Sequence, residues 1–392
     1  MKKLLSIAMV LCMLSMLMIG CSKEEENVIK IGVFEPTTGE NGGGGQQEAD
    51  GIIYANKINP TVKIGDKTYK VELVIVDNKS DKTEAANAAN YLVDQGVVAV
   101  IGSYGSGVSI VAGDIFKEAG IPAMGASCTN PQVTLGNDYY FRTCFLDPFQ
   151  GTVMANYAVK NNAKTAAVIT QLGDDYSTGL GQFFESAFKK LTKNESSVVA
   201  KATFQQNATD FNAILQNIKA ANPDVIFAPS SITTAPLLIK QARALGITCP
   251  IMGGDTWENS AIIENAGADS EGVVLSTFFD ENNSQATEIA KGFVKGFKEE
   301  LKSKGKEEII PAVSALGYDA YIVMIDAINR AGSTDGEAIM KALKATKDFD
   351  AVTGTLNFDK NGDAIKNYAI IKIVKNGKFQ YYETVTVDSL TE

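Results

Sequence analysis

The sequence predicts an α/β protein built of two successive units, and three observations carry that reading. Short apolar, β-branched runs such as Val97–Gly102 (VVAVIG) have the composition of strands buried on both faces. Segments with apolar residues at helical spacing lie between these runs. The resulting β-α-β alternation predicts parallel sheets with helices on both faces. The alternation breaks at Tyr139–Asp147 (YYFRTCFLD) and then starts afresh, in a chain of 392 residues that is long enough for two cores.

In order, Val28–Glu35 (VIKIGVFE) alternates and then runs apolar, as a first strand, and Pro36–Gln47 reads as a loop of Thr, Gly, Glu and Asn. Ala49, Ile52, Ile53, Ala55 and Ile58 mark a helix, and Val71–Val76 is a second strand after the Gly65-Asp66 turn. Helix Glu84–Gln95 leads into the strand at Val97. The stretch Ile101–Pro131 is the centre of this unit. Ser106 stands as an N-cap ahead of Val108, Ile110, Val111 and Ile115, and Asn130-Pro131 repeats the helix-start signal. Two strand ends in succession would thus present hydroxyls and unpaired backbone N–H groups. Such a place suits an anion, most simply a carboxylate.

The second unit runs through helix Gln150–Lys160, strand Ala166–Thr170, helix Gly179–Leu191 and strand Val198–Phe204. Helix Phe211–Ala220, strand Asp224–Ala228, helix Ala235–Leu245 and strand Ile251–Gly253 continue it. Strand Gly272–Phe279 precedes helical patterns at Ala286–Lys304, Val313–Ala331 and Gly336–Ala345. A hairpin closes the chain, with Tyr368–Val374 and Phe379–Val385 about an Asn376-Gly377 turn.

Composition excludes several chemistries. There is no histidine, which removes Ser–His and Cys–His nucleophiles and imidazole zinc sites. The net charge of −10, with no basic stripe, argues against nucleic acid. Gly42–Gly45 lacks the Lys-Ser/Thr of a phosphate loop, and no G-x-S-x-G occurs. Asp359–Asp363 (DKNGD) has its glycine in the wrong place for a calcium loop and reads as a turn. No cofactor and no catalytic residue are expected.

The N-terminus reads as an address. Met1–Lys3 is basic, Leu4–Gly20 is apolar, and Cys21 comes after Gly20 with a polar tether, Ser22–Glu26, behind it. This resembles a bacterial lipobox, with Met18 in place of the usual leucine. The resemblance implies a signal peptide over residues 1–20, lipidation at Cys21 and a tether over 21–27, so that the folded part is anchored outside the cytoplasm. An uncleaved anchor is the alternative, at the short end of spanning length. Of Cys128, Cys144 and Cys249, three thiols that cannot all pair, buried free thiols are the expected state, with a Cys128–Cys144 bridge as the alternative.

With these motifs in place, the chain resembles the branched-chain amino-acid-binding family of bacterial ABC importers. The segments that carry the likeness are IGVFEPTTGENG, VAVIGSYGS, GIPAMGASCTNP, the tyrosine of GDDYSTGLG, and PIMGGDTW, in order and at matching spacing. The resemblance implies a type I periplasmic-binding-protein fold, two Rossmann-like three-layer lobes joined by three hinge crossovers. The crossings are expected near Phe145–Pro148, Thr277–Asp280 and Val352–Asp359. They give one lobe from 28–146 and 278–353 and the other from 147–277 and 354–388. The function implied is capture of a free amino acid, branched-chain or otherwise hydrophobic or aromatic, by a monomeric lipoprotein that delivers it to permease and ATPase subunits. Ser106 and Thr129, with backbone groups around Ser127, would hold the ligand carboxylate. Asp255 would take the ammonium, and Tyr176 would close over it. Tyr104 and Trp257 are candidate pocket walls, and Gly42–Gly45 would leave space beside them. Amides, urea, aromatic acids and a sensory role remain alternatives, as does an enzyme on the same layout.

Overall fold

The computed structural model describes residues 27–283 and 287–390, so the expected signal segment and Cys21 lie outside the described residues. Strand β1 (Val28–Glu35) is the spine of the first sheet. Its residues are almost wholly buried from Ile31 onward, and it pairs in parallel with both β3 (Lys67–Asp77) and β4 (Ala99–Ile101). With β2 (Thr61–Ile64), β5 (Ala123–Gly125) and β6 (Tyr140–Arg142) the sheet order is β2-β3-β1-β4-β5-β6. Every pairing is parallel except β2–β3. Helices α1 (Gly42–Ile58), α2 (Lys82–Asp94) and α3 (Ser106–Glu118) make the crossovers between parallel strands.

The chain then enters a second sheet, ordered β13-β12-β11-β10-β9-β7-β8. Its strands are β7 (Ala166–Gln171), β8 (Val198–Phe204), β9 (Val225–Phe227), β10 (Ile251–Met252), β11 (Val274–Thr277), β12 (Tyr368–Lys375) and β13 (Lys378–Thr386). Every pairing in it is parallel except β11–β12 and β12–β13. Helices α4 (Asp147–Lys160), α5 (Asp175–Thr192), α6 (Asn212–Ala221), α7 (Ala235–Ala244) and α8 (Ser260–Ala266) belong to this half. After β11 the chain returns to the first sheet for α9 (Glu288–Ser303), α10 (Ala312–Ala331) and α11 (Gly336–Lys344), with α10 packed on α1, β4 and β5. It crosses back before β12. Two α/β lobes with three passages between them are therefore the architecture, and this is the fold class expected.

One apolar core runs through both lobes and a second fills the other face of the first sheet. Phe184 stacks on Phe227 at 4.3 Å between ring centres, and Phe145 meets Phe278 at 4.3 Å where the first two passages lie side by side. Such pairs add about 0.5–1.5 kcal/mol each beyond their buried area.

Several local expectations are corrected. Pro36–Gln47 is not all loop, because α1 begins at Gly42 despite four poor helix formers. The reason is tertiary contact: a Cβ on Gly44 would lie 2.4 Å from the Tyr104 ring. Ser106 is the first helical residue of α3, and Gly105 at φ +121 precedes it. The second helix-start signal yields a single 3-10 turn, Pro131–Val133, with the Asn130 side chain accepting from Gln132 N–H at 2.9 Å. Edge strand β2 and helix α8 add to the elements that the pattern predicts. Cys128 and Cys144 are buried free thiols, and Cys249 is a half-buried one. Among the described residues no helix is long and apolar enough to cross a membrane.

Candidate functional site

In open α/β sheets, ligands bind beyond the carboxyl ends of the strands. Both lobes turn those ends toward each other. From the first lobe come the loops after β4 and β5. Tyr104 N–H donates to Glu35 Oε2 at 2.7 Å, which ties the first loop to the end of β1. Ser106 Oγ accepts from Asn130 N–H at 3.1 Å, so this hydroxyl fastens one loop to the next. Ser127 Oγ donates to Glu48 Oε2 of α1.

The second loop is set from below by Arg142, a fully buried guanidinium. Its Nη1 donates to the Cys128 and Asn130 carbonyls at 2.7 Å each, its Nη2 to Thr134 Oγ1 at 2.7 Å, and its Nε to Asp363 Oδ1 at 2.5 Å. A planar fork with five fixed donors is suited to holding a loop this way.

The second lobe contributes Asp255, just past β10 and 3% exposed. Its Oδ1 accepts from Gln150 Nε2 at 2.6 Å and from the Tyr176 hydroxyl at 3.0 Å. Burial pushes its carboxyl up to about 6, against the pull of those two donors. Tyr176 stands in the first turn of α5, capped by Asp174, which accepts Tyr176 N–H at 3.1 Å. Gly254 is required beside it, since a Cβ there would fall 2.2 Å from the Tyr176 oxygen.

The lobes are closed on each other. Lys82 Nζ of α2 lies 2.8 Å from Asp175 Oδ2, Gln171 Nε2 donates to Glu40 Oε2 at 3.0 Å, and Ile232 N–H donates to Asn41 Oδ1 at 3.2 Å. Tyr104 spans the cleft, with its hydroxyl 3.4 Å from the Thr256 carbonyl. Between the walls is a cavity of ≈ 270 Å³, the scale of a small solute rather than of a larger drug-like ligand. Ser106 and Ser127 line it from one side, Asp255 and Tyr176 from the other. Tyr104, Val108 and Leu172 supply apolar wall, while Glu40, Asp81, Lys82 and Asp174 stand around it as charged groups.

Five of the expected ligand residues thus meet at one cavity: Tyr104, Ser106, Ser127, Tyr176 and Asp255. Two do not line it. Thr129 is fully buried behind the second loop, with its carbonyl accepting from Asp147 N–H at 3.0 Å. Trp257 is fully buried under Gly253 and donates Nε1–H to the Ser230 carbonyl at 3.2 Å, so it is a core residue rather than a pocket wall. The expected gap at Gly42–Gly45 is occupied by the Tyr104 ring. Glu35, Glu48, Arg142 and Gln150 join the site without having been singled out by the sequence pattern. Only Arg142 carried a signal, as a charge inside the apolar run YYFRTCF. Among the described residues, no group of His, Cys, Asp and Glu is placed to hold a metal ion.

Two hinged lobes closing on a cavity with a donor-rich pole and an acidic pole define a solute-binding protein. Residues 28–378 match the family described as periplasmic binding protein, and the chain belongs to that family. It is similar to the Leu/Ile/Val-binding protein homolog 3 of Brucella melitensis, 30% identical over 340 residues, covering 86% of this chain and 88% of the relative. It is also similar to the leucine-, isoleucine-, valine-, threonine- and alanine-binding protein of Pseudomonas aeruginosa, 30% identical over 350 residues, covering 87% and 88%. Among solved structures it is similar to the leucine-binding protein LivK of Thermotoga maritima, at TM-score 0.85 and 39% identity over 92% of this chain and 99% of that one. The LivJ protein of Streptococcus pneumoniae, solved with isoleucine, superposes at TM-score 0.82 with 31% identity, over 92% and 100%.

Proposed function

We propose that this chain is the solute-binding component of an ABC importer and closes its two lobes around a free α-amino acid. The observation that carries the reading is the pairing, across one cavity, of the Ser106 and Ser127 pole with the Asp255 and Tyr176 pole. A zwitterion presents a carboxylate and an ammonium on one carbon, and these two poles are their complements. Ser106 and Ser127 would hold the carboxylate, with Thr129 behind them. Asp255 would accept from the ammonium, oriented by Gln150 and Tyr176. Val108, Leu172 and the Tyr104 ring offer an apolar side chain its surface, and the named ligands of the relatives put leucine, isoleucine and valine first in any trial. Closure is then the whole mechanism, driven by contacts the solute makes to both lobes at once. No bond is made or broken.

In this reading residues 1–20 direct export and Cys21 carries the lipid that anchors the monomer to the outer face of the membrane. The moving bodies are 28–146 with 278–353 and 147–277 with 354–388, and the partners are permease and ATPase subunits. Titration calorimetry over the twenty amino acids tests the core of it. Micromolar or tighter binding of leucine, isoleucine or valine is expected. Asp255→Ala should weaken that binding about a hundredfold, from the loss of charge-assisted bonds worth ~3 kcal/mol. Unchanged affinity in that variant removes Asp255 from the site. No shift with any amino acid, and a shift with an uncharged amide, would replace the ligand class.

A further inference from the structure

Two carboxyl groups without a ligand role lie directly under the loops that would grip the solute. Glu35, at the end of β1, and Glu48, in the second turn of α1, are both fully buried. Glu35 accepts from Tyr104 N–H of the first loop, and Glu48 accepts from the Ser127 hydroxyl of the second. Among the described residues their remaining oxygens find no other donor, and the two side chains are within hydrogen-bonding reach of each other. Each acid therefore holds one gripping loop, and a proton between them joins the two loops through the floor of the site.

The arrangement has a donor-counting consequence. A serine hydroxyl carries one proton. While Glu48 is ionised, Ser127 gives that proton to Glu48 and can present only a lone pair to a solute carboxylate. When Glu48 is protonated, it donates to Ser127 Oγ instead, and the Ser127 proton is freed for the solute. We infer that Glu48 is a positioning residue that makes solute capture proton-linked, with Ser127 gripping the carboxylate only when Glu48 carries a proton. This rests on the amino-acid reading above. The proton comes from solvent, and no covalent step is involved.

The surroundings favour such a linkage. The titratable groups that act on the pair are Asp255 across the cleft, the phenols of Tyr104 and Tyr140, and the thiols of Cys128 and Cys144, all acids or neutral groups. The buried cation of this lobe, Arg142, is paired with Asp363. A second negative charge under the solute carboxylate thus goes uncompensated. Burial pushes the Glu48 carboxyl up to about 7 and, with the repulsion of Glu48, holds Glu35 well above the usual carboxylate range.

The test is calorimetry of the full chain with L-leucine, L-isoleucine and L-valine from pH 6 to 9, in buffers of differing ionisation enthalpy so that protons taken up are counted. Affinity should fall roughly tenfold between pH 7 and 8.5, with uptake approaching one proton per solute at the alkaline end. Glu48→Gln, whose amide donates to Ser127 Oγ at every pH, should bind with the alkaline fall removed. Binding without proton uptake in the wild type, or the same alkaline fall in Glu48→Gln, overturns the inference and leaves the amino-acid reading standing. Absence of binding at every pH overturns both. Should Glu48→Gln fail to fold, the proton count on the wild type decides alone.

Discussion

The two walls of the cleft reach the same precision by opposite means. The wall after β4 and β5 is made of main chain and hydroxyls, held from beneath by groups that never face the cavity: Glu35, Glu48 and Arg142. The wall after β10 presents a side-chain carboxylate directly, held in place by the tip groups of Gln150 and Tyr176. One wall is a backbone shape with buried supports, and the other is a network of side-chain tips. Damage to the first should therefore appear as lost stability, and damage to the second as lost binding.

The largest test of that contrast is Arg142→Met. It leaves Asp363 without its ion-pair partner and takes the guanidinium donor from two loop carbonyls. A loss of about 3–5 kcal/mol in urea unfolding is expected. Asp255→Ala, by comparison, should move the melting temperature little while costing affinity. If Arg142→Met were as stable as the wild type, the supports would not be supports.

A smaller effect concerns pH. Carboxyls on both walls, the half-buried Asp174 among them, are raised by desolvation, Glu48 to about 7 and Asp174 and Asp255 to about 6. Unfolded, such groups titrate near 4. Between roughly 4 and 7 the native state therefore binds more protons than the unfolded state, and stability must fall as pH rises through that window. The melting temperature of the solute-free protein should decline from pH 5 to pH 8, and Glu48→Gln should reduce the decline. A melting temperature that climbs over this range would contradict the burial of these acids in the native state.

The smallest effect belongs to the contact between the walls. Lys82 and Asp175 are half exposed, and exposed pairs contribute about 0–1 kcal/mol. Lys82→Ala should weaken solute binding by less than about fivefold, mainly at low salt. A larger loss at high salt would mean that Lys82 touches the solute.

The same contrast explains what the sequence made legible. Strands buried on both faces read as apolar runs, and loops that come after strand ends can be counted, so the fold and the positions of Ser106, Ser127, Tyr176 and Asp255 could be reached from pattern and likeness. Supports are harder to read, because nothing in Glu48 or Gln150 says which way a polar residue of an amphipathic helix will turn. Trp257 misled for the related reason that an aromatic beside a site residue can fill the space a glycine leaves, here Gly253, as readily as it can line a pocket. The start of α1 misled because local propensity opposed it. Four glycines in a first turn are tolerable only where close neighbours, such as the Tyr104 ring, leave no room for a side chain. Edge strand β2 was hidden by its brevity.

The grip of Arg142 on Asp363 reaches across 221 positions of sequence, and Arg142 N–H also donates to the Gly362 carbonyl at 3.0 Å. The loop after β5 is thus propped by a segment made almost last. During synthesis the first lobe can assemble its sheet early, yet its binding loop has to wait for the tail of the chain. A chain stopped before Asp359 would keep every side chain that faces the cavity and still lack the support that shapes the loop.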